Sequence, residues 1–188
     1  MSMTHAPFHL AIEDNEIKSW PALGALTLGV CLISALAQLS VPLPFTPVPV
    51  TGQTLGVALT SLLLGARLGF ATVFSYLFVG LAGLPVFAGG AAGISVGPSA
   101  GYLVGMLLAS SVMGRLSDCG WTRNFLQAYV ACLAGSAVIF ACGMAGLWFF
   151  YPEKNLLGIG MAPFLPGDLI KSVFAASTAA AVTKGLQK

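Results

Sequence analysis

Charge is what this sequence has least of. Eight Lys/Arg and six Asp/Glu are spread through 188 residues, making 7% charged against 57% hydrophobic. A soluble domain carries about a quarter charged residues. The shortage excludes a water-soluble globular enzyme and reads as a membrane protein. The few basic residues are too scattered for a nucleic-acid footprint. Histidine is also scarce, confined to His5 and His9. The cysteines Cys31, Cys119, Cys132 and Cys142 form no C-x-x-C pair and have no histidine company, so the sequence offers no metal or redox motif. Three of them fall inside apolar runs, as small packing residues do. No G-x-x-x-x-G-K-[ST] segment occurs, so the chain cannot cradle ATP by the usual loop.

What the chain has instead is long apolar runs. A bilayer-spanning helix needs about 20 mostly apolar residues, and runs at 21–39, 53–66, 68–84, 99–116, 125–150 and 163–185 predict six spans. The second and third are short and separated only by the turn Gly65-Ala66-Arg67-Leu68-Gly69, so one bent hairpin is an equivalent reading. The expected architecture is an all-α membrane protein of six transmembrane helices, one domain over residues 21–188, preceded by an arm over residues 1–20. That arm has Glu13, Asp14 and Glu16 against Lys18 and lacks hydrophobic periodicity, so it reads as solvated. Ala35-Leu36-Ala37 imitates a signal-peptidase site, but a secretory leader is basic and this one is acidic.

Positive charge sets orientation, because cytoplasmic loops retain lysine and arginine. With the N-terminus inside, six residues (Lys18, Arg67, Arg115, Arg123, Lys184, Lys188) are cytoplasmic and one, Lys154, is outside. Both termini are then cytoplasmic. Trp20 and Trp121 fall at the inner interface and Trp148, Phe149, Phe150 and Tyr151 at the outer one, as aromatic belts require.

The three outer connections are unusual. Residues 41–51 hold Pro42, Pro44, Pro47 and Pro49, which favour extended backbone. Residues 83–98 hold Gly83, Gly89, Gly90, Gly93 and Gly97, which allow conformations other residues resist. Residues 151–167 end in Pro163-Phe164-Leu165-Pro166-Gly167, just before Asp168. Apart from Glu153 and Lys154 these loops are uncharged, so they either lie at lipid depth or fold over the bundle as a lid.

Asp168 and Lys171 lie three residues apart at the start of the last span, on one helical face. Each would cost about 2.5 to 3.5 kcal/mol at the centre of a lipid-exposed helix. Either they form an intrahelical pair with Lys171 snorkelling outward, or they point inward as one anionic acceptor and one cationic donor for a ligand. Gln53, beside Thr51 and Thr54, can both donate and accept, and reads equally as a packing glutamine or a contact for a urea or amide group. The loop around Gly89 and Gly90 offers backbone N–H groups, with Phe87 and Tyr102 as apolar walls. Gly93-Ile94-Ser95-Val96-Gly97 matches G-x-S-x-G, but both histidines sit in the arm assigned to the opposite side, leaving only a Ser95–Lys171 dyad for hydrolysis. Small residues recur at helical spacing (Ala25 with Gly29, Gly101 with Gly105, Ala175/Ala176 with Ala179/Ala180), which lets helices approach closely. The smooth first span (Ala22, Gly24, Ala25, Gly29) could alternatively face a partner subunit.

Four blocks carry a resemblance. Pro47-Val48-Pro49-Val50-Thr51-Gly52-Gln53-Thr54, Gly83-Leu84-Pro85-Val86-Phe87-Ala88-Gly89-Gly90, Gly97-Pro98-Ser99-Ala100-Gly101-Tyr102 and Pro163-Phe164-Leu165-Pro166-Gly167-Asp168-Leu169-Ile170-Lys171 together resemble the BioY family. These are the biotin-specific S components of energy-coupling factor (ECF) vitamin transporters. The match runs in order from about residue 21 to 185.

The resemblance implies a six-helix S-component-like bundle in a prokaryotic plasma membrane, with outer loops closing over a biotin site. It also implies a transmembrane coupling subunit and paired cytoplasmic ATPases as partners, and an S component that topples within the membrane during transport. Biotin is then cargo, ATP acts only through partners, and no cofactor or catalysis is expected of the chain itself. The family's aspartate and lysine fall on Asp168 and Lys171, and its glutamine on Gln53. Where some relatives carry a polar side chain or an arginine near the glycine-rich loop, this sequence has Gly89, Gly90, Ala91 and Ala92. The family's small-residue motif on the first helix aligns only approximately, with Ala25 and Gly29. The expected division is Asp168 accepting ureido N–H bonds, Gln53 adding a polar contact and Lys171 attracting the tail carboxylate; a head-to-tail reversal uses the same residues. The alternatives are a proton-coupled carrier of another small organic acid, with Asp168 as proton site, and an intramembrane serine hydrolase.

Overall fold

The structure, a computed structural model, describes residues 20–93 and 97–186. The arm over 1–19 and Ser95 lie outside the described residues. The elements run α1 (Trp20–Gln38), β1 (Ser40–Val41), β2 (Val50–Thr51), α2 (Gln53–Leu81), α3 (Ala100–Asp118), α4 (Phe125–Phe150), α5 (Leu156–Gly160) and α6 (Leu165–Leu186). Among them α1, α2, α3 and α4 are long and apolar enough to cross a membrane. Their ends follow local chemistry. Pro21 and Pro166 occupy first turns, where a missing N–H costs nothing. Asn124 caps α4, its side chain accepting from the Leu126 N–H at 2.9 Å.

α2 is bent back on itself. Gln53 and Tyr76 would be about 35 Å apart in a straight helix, yet the Gln53 side-chain amide donates to the Tyr76 hydroxyl at 2.5 Å. The reversal is at Gly65, with φ 76° and ψ −173°, a conformation open essentially to glycine. The hairpin reading of the sequence therefore holds, with the break at Gly65 and the second arm ending at Leu81 rather than Leu84. The two arms, residues 53–64 and 66–81, touch closely: a Cβ on Gly69 would lie 2.9 Å from the Ser61 Cα.

The turn of this hairpin is held by α3. Asp118 accepts the backbone N–H of Ala66 at 3.0 Å, satisfying an orphan donor at the start of the second arm and placing a negative charge at its positive end. The Ser117 hydroxyl donates to the Leu62 carbonyl at 2.5 Å.

Elsewhere small residues set the packing, as expected where lipid removes the hydrophobic drive between helices. Gly101 and Gly105 press α3 onto the α4 backbone at Cys142, Gly146 and Ile139. Ala175, Ala176, Ala179 and Ala180 form the buried face of α6. Gly29 is buried against Thr72 and Thr60 of α2, and Ala25 packs beside Leu64 and Leu68. Most of the smooth surface proposed for a partner is thus spent inside the chain, because the α2 hairpin occupies it; a Cβ on Gly24 would meet nothing within 4 Å among the described residues.

The proline-rich loop is pinned at its ends by β1 and β2, antiparallel with Ser40 opposite Thr51 and Val41 opposite Val50. The third connection holds α5, which the sequence did not announce; at five residues it is too short for periodicity to show.

Candidate binding site

Loop residues and helix ends line a partly open cavity of about 370 Å³ at the end of the bundle opposite the Gly65 turn, within the usual range for small-molecule sites. Gln53, Phe87, Tyr102, Asp168 and Lys171 all line it. Among the described lining residues Asp168 and Lys171 are the charged ones, set in walls of Val48, Leu103, Met106, Phe140 and Phe164.

α6 aims its two charges inward. Asp168 is buried at 6% exposure, while its neighbours Leu169, Ile170, Val173 and Phe174 face outward. Lys171 does not snorkel to the surface: its ammonium donates to the Thr54 hydroxyl at 2.6 Å and to the Thr51 carbonyl at 3.1 Å. These bonds tie α6 to the junction of β2 and α2 and, among the described residues, leave one N–H of the ammonium uncommitted. On its inner side Asp168 borders a small void shared with Ser136, Ser172 and Cys132.

Gln53, 4% exposed, serves both readings made of it: it lines the cavity and is bonded to loop and helix. Its amide oxygen accepts from the Thr51 hydroxyl at 3.0 Å, and its nitrogen donates to Tyr76. Tyr76 in turn donates to the Val86 carbonyl at 3.2 Å and meets the Phe87 ring edge-on, with centroids 5.6 Å apart. Phe87 fits because Gly80 has no side chain, since a Cβ there would collide with the ring.

Gly89 and Gly90 do not line the cavity. Both are exposed at positive φ (64° and 77°), and they turn the chain so that Ala88, Ala91, Ala92 and Gly93 form the wall. The lid is stitched across its loops. Thr46 donates to the Ile159 carbonyl at 2.7 Å, and Tyr102 donates to the Gly160 carbonyl at 2.6 Å. Sequence reasoning missed Tyr76, Thr46 and Ser136, and gave Thr54 no role of its own. Tyr76 left the only available signal, a polar-tipped aromatic inside an apolar run.

Comparison with known proteins now decides the family. The family model described as "BioY family" matches residues 14–188. The chain belongs to the BioY family. It is 36% identical over 174 residues to the biotin transporter BioY of Rhizobium etli, covering 84% of this chain and 90% of that one. It is 37% identical over 156 residues to the biotin transporter BioY of Thermotoga maritima, with 81% and 90% covered. Among solved structures, the S component for biotin from an ECF-type ABC transporter matches with a TM-score of 0.80 at 28% identity, covering 90% of this chain and 95% of that one. BioY membership and the apolar helices make this a multi-pass membrane protein of a transporter family rather than an enzyme, which removes the serine-hydrolase alternative.

Proposed function

We propose that this chain captures biotin for uptake as the S component of an ECF transporter. One observation carries the reading: Gln53, Phe87, Tyr102, Asp168 and Lys171, from three helices and a loop, converge on one lidded cavity. Its polar groups suit both ends of biotin. The Asp168 carboxylate accepts ureido N–H bonds, Gln53 adds a polar contact, the aromatic walls bury the thioether ring, and the free N–H of Lys171 draws the tail carboxylate.

Six membrane crossings are supplied by α1, the two arms of α2, α3, α4 and α6. The N- and C-termini lie in the cytoplasm and the lidded cavity opens outward, an orientation supported by the basic residues Arg67, Arg115, Arg123 and Lys184 near the opposite end. A coupling subunit and paired ATPases supply the energy, in keeping with the ECF-type assembly of the solved relative and the absence of a phosphate-binding loop here.

Calorimetry on the detergent-purified chain is expected to show saturable binding of one biotin per chain, with thiamine and riboflavin giving no heat. Absence of a biotin signal from folded protein overturns the reading. Uptake in cells lacking every coupling and ATPase subunit is expected to fall to background; sustained accumulation would sink the partner requirement alone.

A further inference from the structure

We infer that Tyr76, which does not line the cavity, is a positioning residue that fixes which way the Gln53 amide faces and so what Gln53 can offer a ligand. The inference rests on the biotin reading above and deepens it. A phenol has one proton to donate. Tyr76 donates that proton to the Val86 carbonyl, a group that can only accept. Its oxygen must therefore receive from Gln53, and only the amide nitrogen can give. The amide oxygen is left facing Thr51, whose hydroxyl donates to it. A flipped amide would need the phenol proton back from Val86. Tyr76 is fully buried and held edge-on by Phe87, so it has little freedom to swing away.

With one N–H spent on Tyr76 and no second partner for the amide nitrogen among the described residues, the other N–H of Gln53 is left for the cavity that Gln53 lines. It therefore donates to an acceptor oxygen of the ligand, a ureido carbonyl or a carboxylate, and selects against a ligand in which that oxygen is replaced. The Val86 carbonyl belongs to the glycine-rich loop, so the same relay links closure of that loop to the set of the amide.

The test is a titration of biotin, 2-iminobiotin (ureido carbonyl replaced) and biotinamide (tail carboxylate replaced) against the parent chain, Tyr76→Phe, Gln53→Ala and the double variant. Tyr76→Phe keeps the ring and its packing on Phe87, so the variant should still fold, with its melting temperature in detergent lowered by the loss of the hydroxyl's two bonds. Its biotin affinity is expected to drop about tenfold, and the parent's preference for biotin over one of the two analogues should narrow. The double variant should bind no worse than Gln53→Ala, because the two residues act in series. A uniform loss across all three ligands with both preferences intact would make Tyr76 merely structural and overturn the inference. So would parental binding by Tyr76→Phe when Gln53→Ala is weakened, an outcome that leaves the biotin site standing. Parental binding by Gln53→Ala would instead remove Gln53 from the site and take the inference with it.

Discussion

Replacing Asp168 by Asn is expected to weaken biotin binding by more than tenfold. The substitution preserves shape but removes the charge and turns one acceptor oxygen into an NH₂ donor. Ureido N–H groups that met a carboxylate would then meet a group half of which repels them. The loss also strands Lys171, which lines the same cavity and whose hydrogen-bond partners among the described residues are the neutral Thr51 and Thr54. Truncating one partner of a buried charged hydrogen bond costs about 2 to 5 kcal/mol, or about 30-fold to several thousand-fold in affinity. Calorimetry of the purified variant measures this directly, and affinity equal to the parent's would remove Asp168 from the site.

The second large effect is on folding. Gly114→Val should lower the melting temperature of the purified protein sharply and reduce the folded yield. A Cβ on Gly114 would sit 2.5 Å from the Cα of Ala66, 2.7 Å from its nitrogen and 2.8 Å from the carbonyl carbon of Gly65. These are backbone atoms of the turn that reverses α2, so no side chain can rotate out of the way. Overpacking of this kind costs about 1 to 3 kcal/mol, and displacing α3 from the turn also strains the Asp118 bond to Ala66. Gly24→Val, on an open face with nothing within 4 Å, is the matched control and should melt with the parent. A Gly114→Val protein as stable as that control would show that the α2 turn and α3 are not in register as described.

How much of this was readable in advance depends on the range of the interactions. The long apolar runs predicted α1, α3, α4 and α6 to within about two residues, because a span declares itself through local composition. The inward aim of Asp168 and Lys171 was legible for a similar reason: lipid makes the alternative expensive. Gly29 carries two readings in the sequence, helix packing or a partner surface, because a small residue marks close approach without naming what approaches; within the chain it meets α2. Gly89 and Gly90 were assigned to the cavity because glycine signals special backbone geometry, and the sequence cannot say whether that geometry serves a contact or a turn. The Tyr76–Gln53 bond joins residues on two arms of one hairpin, and the Thr46–Ile159 bond joins loops 113 residues apart. Neither pairing leaves a local trace.

The reversal at Gly65 also sets how deep the site can lie. In the six-crossing arrangement the first arm of α2, residues 53–64, is only about 18 Å long, against a hydrocarbon thickness of about 30 Å. Every residue of that arm is buried or half-buried, so the shortfall falls inside the bundle and not against lipid. With the Gly65 turn at the inner edge of the hydrocarbon, the missing length lies above Gln53 and sinks the cavity it lines below the outer edge.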